Sequence, residues 1–119
     1  MRGFFIDVQG TLIDDKNFLP LDGAVEFTKY LSKNNIPFIL LTNNTKKESS
    51  EFKDYLKSLG FEFKHYLDPL MVLDEIIKHP VAAYGNEKFV EIMKNKYSLD
   101  YDKPKDVVLG IKLYSNDEF

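Results

Sequence analysis

Apolar residues along this chain follow two alternating rhythms, short unbroken runs and longer stretches spaced three or four apart. The runs Phe4-Phe5-Ile6, Pro37-Phe38-Ile39-Leu40-Leu41, Val81-Ala82-Ala83-Tyr84 and Val107-Val108-Leu109 read as buried strands, and continuity of this kind suits strands covered on both faces. Behind the first run, Ala24, Phe27 and Leu31 recur at helical spacing, predicting a helix capped by Asp22, burying those three residues and ending at Asn34 and Asn35. Thr45-x-x-Glu48 has capping-box spacing and predicts a helix that turns Phe52, Leu56 and Leu59 inward and stops at Gly60. A third helix is expected from Pro69 to Lys78 with Leu73, Ile76 and Ile77 apolar. A fourth runs through Phe89, Val90 and Met93, after a turn and cap at Gly85-Asn86-Glu87. Turn-forming residues from Asp102 to Asp106 precede the last run. Strands alternating with helices predict an α/β fold with a mostly parallel sheet and right-handed crossovers.

Length and composition narrow the classes of function. At 119 residues the chain is the size of one domain, and 44% hydrophobic with 29% charged is a globular balance, far from that of disorder. A net charge of -3, with lysines spread along the chain, argues against a nucleic-acid surface and favours small-molecule chemistry. The absence of cysteine removes disulfides and thiolate sites. With no apolar leader ahead of the first strand, a cytoplasmic protein is expected. No apolar run approaches the roughly 20 residues of a membrane span.

Candidate chemistry begins at Asp7, where the first strand ends on an acid and turns through Gly10. Open α/β sheets place their sites at the carboxyl ends of strands, and a charge directly after an apolar run needs solvent, metal or substrate to receive it. Taken alone, Asp7 is equally readable as an acid that caps a turn. Asp14 and Asp15 read as solvated turn residues, His65 and His79 as structural, and Lys46 and Lys47 either as surface lysines or as an electropositive approach at a helix start.

The string Asp7-Val8-Gln9-Gly10-Thr11 resembles the first motif of the haloacid dehalogenase (HAD) superfamily, acid-x-acid-Gly-Thr, with Gln9 in place of the second acid. Phe38 to Thr42 resembles the second motif, a strand ending in Thr or Ser. The string Leu41-Thr42-Asn43-Asn44, preceded by Gly23, Ala24 and Phe27 and followed by Leu56 through Gly60 and Val107 to Gly110, is similar to the NagD-type branch of that superfamily. The resemblance implies a HAD-like Rossmannoid three-layer core with residues 1–119 as its N-terminal portion. It implies Asp7 as nucleophile and Mg²⁺ ligand, the backbone carbonyl of Gln9 as a second Mg²⁺ ligand, and Thr42, Asn43 and Asn44 as phosphate-binding residues. Gln9 stands where the family's proton-transfer acid would be. An amide does not titrate near neutrality, and losing a positioned acid/base costs about 10²- to 10⁴-fold in rate.

Only nine residues, Ile13 to Leu21, separate the first motif's turn from the first helix, so a helical cap cannot fit there. The resemblance also implies a cap, a third-motif Lys and a fourth-motif acid cluster, none of which is visible in these residues. The expectation is half of a catalytic core, inactive alone. In such sheets the first strand is central with its second and third neighbours on one side. If nothing follows Phe119, an unpaired edge at Phe4 to Asp7 predicts that the fragment self-associates or needs its missing half for stability. The expected function is Mg²⁺-dependent hydrolysis of a small phosphate ester through an aspartyl-phosphate. The alternative is a catalytically silent phosphate-binding or protein-interaction domain.

Overall fold

The first apolar run forms β1 (Phe4–Asp7), which pairs in parallel with β2 (Phe38–Leu41), Phe4 opposite Phe38 and Asp7 opposite Leu41. The computed structural model describes residues 3–110. Helix α1 (Ala24–Lys33) makes the crossover between these strands, and α2 (Ser49–Ser58) leads from β2 to a two-residue strand, β3 (Tyr66–Leu67), parallel to β2. The resulting sheet has the order β1-β2-β3. Helix α3 (Pro69–Ile76) then leads to β4 (Val81–Gly85), which pairs in parallel with β5 (Asp106–Gly110) across α4 (Glu87–Lys96). All three ladders are parallel, so the α/β expectation holds. The strands divide into two sheets, and among the described residues β1 lies at an edge of its sheet, with the unpaired side expected of Phe4 to Asp7.

Several local expectations are corrected. Two-sided cover fails at β1, where Ile6 is buried but Phe4 is 44% and Phe5 82% exposed. Asp22 does not cap α1. The N-cap is Gly23 at φ 79°, a left-handed conformation that glycine adopts without a Cβ penalty. The buried face of α1 is Ala24, Thr28 and Leu31, while Phe27 is 40% exposed and meets Phe4 edge-on at 5.9 Å. Thr28 can take the buried place because its hydroxyl is satisfied, donating to the Val25 carbonyl one turn back and accepting from the Glu62 N–H beyond α2. The Thr45–Glu48 capping box is not formed, since α2 starts at Ser49 with no side-chain cap. Helix α3 stops at Ile76, which is exposed, and Ile77 beyond it is the buried residue.

Two apolar cores result. The larger packs Ile6, Val8, Leu12, Ile13, Leu40, Phe52 and Leu56 beneath the first sheet. The smaller packs Leu70, Val81, Phe89 and Met93 around the second. Helix α3 spans them, with Leu70 in the second core and Met71 against the first.

Candidate functional site

Parallel pairing of β1 and β2 brings their carboxyl ends side by side, and the ladder runs one step further where the Val8 N–H donates to the Leu41 carbonyl at 3.0 Å. Side chains alternate along an extended chain, so with Val8 fully buried, Asp7 and Gln9 face the other way. A tight turn follows. The Val8 carbonyl accepts from the N–H groups of Thr11, Leu12 and Ile13, Gly10 N donates to Ile13 O at 2.7 Å, and Gly10 sits at φ 83°. Beyond β2, Thr42 N donates to the Leu67 carbonyl of β3 at 3.1 Å, which fixes the start of the loop carrying Thr42 and its two asparagines.

These loops border a cleft of about 920 Å³ lined by Asp7, Gln9, Thr42, Asn43 and Asn44, with Asn86 and Lys88 of the second sheet's unit also on its wall. All five residues expected at the site are therefore gathered in one place. Thr42 is 6% exposed, and its hydroxyl is engaged twice, donating to Gln9 Oε1 at 2.5 Å and accepting from Asn44 N at 3.2 Å. The Asn44 side chain braces the loop: Oδ1 accepts from the N–H groups of Lys46 and Lys47, and Nδ2 donates to the Lys47 carbonyl at 2.7 Å. Asn43 and Asp7 are exposed to the cleft. Lys46 and Lys47 line it too, but Lys47 lies 3.8 Å from Glu51 and over the Tyr55 ring, so its charge is partly answered.

The hairpin after β1 supports a turn role for Asp14, while Asp15 lines the cleft. Asp14 accepts from the N–H groups of Lys16 and Asn17, and these bonds hold its carboxyl below the usual range. Further along the hairpin, Phe18 adopts φ 60°, its carbonyl accepts from the Tyr55 hydroxyl at 2.6 Å, and it lines the cleft.

Asp68, on the cleft wall and 2% exposed, was not singled out by sequence reasoning. Its carboxylate accepts from Ser49 Oγ at 2.8 Å, the Tyr66 hydroxyl at 2.7 Å and Met71 N at 3.0 Å, so one side chain ties the starts of α2 and α3 to β3. Burial and the neighbouring Asp68 carboxylate push the Tyr66 hydroxyl above the ordinary phenol range, which keeps it a donor. A signal did exist: Asp before Pro69 is an N-cap ahead of proline at the first helical position.

For a divalent cation, the donor set is spare. Among the described residues no three of His, Cys, Asp and Glu gather at one place. The Asp7 carboxylate and the Gln9 carbonyl, which accepts no backbone hydrogen bond among the described residues, supply two oxygens at the cleft. That number fits Mg²⁺, which keeps several waters and takes one or two carboxylates.

A profile of the family described as haloacid dehalogenase-like hydrolase matches residues 4–97. Similar curated proteins include acid sugar phosphatases of Staphylococcus saprophyticus, 37% identical over 59 residues, and Staphylococcus haemolyticus, 33% identical over 63 residues. These segments cover 50% and 53% of this chain but 22% and 23% of the relatives. Among solved structures, NagD from E. coli K-12 superposes with a TM-score of 0.65 at 20% identity, over 97% of this chain and 48% of that one. A 4-nitrophenylphosphatase from Thermotoga maritima superposes with a TM-score of 0.65 at 21% identity, over 95% and 46%. The chain thus spans about half the length of the solved chains it resembles. It belongs to the haloacid dehalogenase-like hydrolase family.

Proposed function

We propose that these residues form the phosphate-handling face of a phosphohydrolase acting on a small phosphate ester. The observation that carries this reading is the convergence of Asp7, Gln9, Thr42 and Asn43 on one cleft at the carboxyl ends of two adjacent parallel strands. The Asp7 carboxylate is the nucleophile: its oxygen bonds to phosphorus as the ester P–O bond breaks, and water then hydrolyses the aspartyl-phosphate. Asn43 holds the phosphoryl oxygens from the loop that Thr42 opens, the Thr42 hydroxyl being spent on anchoring Gln9, and Asn44 keeps the loop in shape. Mg²⁺ held by the Asp7 carboxylate and the Gln9 carbonyl would supply charge neutralisation between the two anions. The acid sugar phosphatases and the 4-nitrophenylphosphatase support a phosphate ester as substrate.

A second reading is favoured by Gln9 itself. No titratable group stands there to protonate the leaving oxygen, and Gln9 occupies the Thr42 hydroxyl. Phosphate binding without turnover is therefore the expected behaviour of the 119 residues alone. The exposed Phe4 and Phe5 on the β1 edge support self-association of the same chain.

One set of preparations tests these points. Titration with inorganic phosphate and Mg²⁺ should show saturable binding that Thr42→Val weakens about tenfold. An aryl phosphate should not be turned over, and light scattering should report species larger than a monomer. Absence of phosphate binding by a folded chain overturns the reading. Metal-dependent hydrolysis lost in Asp7→Asn overturns only the silence of these residues, and a stable monomer overturns only the edge pairing.

A further inference from the structure

Gln9 is half-buried on the cleft wall, and its two amide atoms have different fates. Oε1 accepts from the Thr42 hydroxyl, whose own lone pair is taken by Asn44 N. Nε2 has no hydrogen-bond partner among the described residues, yet no buried side-chain nitrogen or oxygen there lacks one. Nε2 is therefore open to solvent, and the space beside Gln9 is the cleft.

From this we infer that Gln9 is a ligand-binding residue in its own right. Its amide, anchored through Oε1 on Thr42, presents Nε2 as a fixed neutral donor to a non-bridging oxygen of a bound phosphate group. The inference rests on the phosphate reading above and deepens it. A carboxylate at this position would face a phosphate dianion with like charge, a repulsion that solvent screening reduces without removing. The amide reverses the sign of that contact and cannot move a proton. The position is thus tuned for holding phosphate at the expense of protonating a leaving group. The Thr42 anchor matters because a side chain already fixed in place loses little further freedom when the ligand arrives.

The test is a phosphate titration of the whole 119-residue chain, followed by binding heat and by the Gln9 side-chain NH₂ resonances. Inorganic phosphate should shift those resonances along the same curve that the heat follows. Gln9→Met, similar in shape without a donor, should weaken phosphate about fivefold. Gln9→Glu should weaken it about tenfold or more. Saturable binding of phosphate with unmoved Gln9 NH₂ signals overturns the inference, as does wild-type affinity in both variants. The wild-type resonances decide the matter even where a variant does not fold. A folded wild-type chain that binds no phosphate overturns the underlying reading, a result distinct from either of these.

Discussion

The two sheets of this chain are built to one plan, parallel strands joined through helices, but they bury different kinds of side chain. Beneath and around the first sheet lie all four of the buried polar side chains among the described residues, Thr28, Thr42, Asn44 and Asp68, each hydrogen-bonded. The second sheet's core is apolar throughout, and its polar ties lie at the surface, where Asp74 meets Lys96 at 3.0 Å and the Tyr97 hydroxyl. A buried hydrogen bond has one good geometry, whereas apolar contacts tolerate small slides. The cleft wall that carries Asp7, Gln9 and Thr42 is thus held by polar bonds, and the wall from the second sheet's unit is held mainly by packing.

The comparison is most severely tested by removing the largest fully buried side chain from each core. Phe52→Ala and Phe89→Ala should each cost about 3 to 5 kcal/mol. Because α3 is shared between the cores, both should shift one common urea transition. Two separated transitions in either variant would mean that the sheets are independent units.

A smaller effect is expected at the junction. Asp68→Ala strands the Ser49 and Tyr66 hydroxyls and Met71 N, and should destabilise by about 3 kcal/mol, while Asp68→Asn keeps an acceptor and should cost nearer 1 kcal/mol. Equal losses in the two variants would show that shape, and not hydrogen bonding, holds the first sheet's wall.

The smallest effect belongs to the second sheet's surface. Partial burial would raise the Asp74 pKa, but hydrogen bonds from Tyr97 and Lys96, with the charges of Lys96 and Lys78, outweigh it and hold the carboxyl below 3.8. A carboxylate depressed in the folded state adds stability that is complete above its unfolded value and lost as pH falls through the folded one. Asp74 is half exposed, so the contribution is screened to about 0.5 kcal/mol or less. Asp74→Asn should therefore flatten a slight fall in stability below about pH 4. An unchanged acid limb would place that sensitivity elsewhere.

Much of this was legible in the sequence. The unbroken runs marked four of the five strands, and the Asp-x-Gln-Gly-Thr and Leu-Thr-Asn-Asn strings marked the loops that meet at the cleft. Strand β3 was invisible because two residues carry no period, yet it supplies the carbonyl that fixes Thr42. Helix starts were misread at Asp22 and Thr45 for a shared reason. Side-chain capping competes with what the backbone can do alone, and Gly23 in the left-handed region and the Asn44 brace settled those turns instead. Phe27 had the right spacing but sits over the open edge of β1, where helical periodicity carries no information about what lies opposite. The bond between Gln9 and Thr42 joins positions 33 residues apart and could not be read from either motif alone.

Phe18 gives the hairpin a property of a different order. A bulky residue in the left-handed region costs about 1 to 2 kcal/mol relative to an ordinary backbone conformation, a strain held in place by the Tyr55 hydroxyl on its carbonyl. Glycine would relax that turn and at the same time strip an aromatic ring from the cleft wall. The same ring packs against the first core, so its loss would cost at least what the relaxed turn returns, and a screen for hardier variants should leave Phe18 in place.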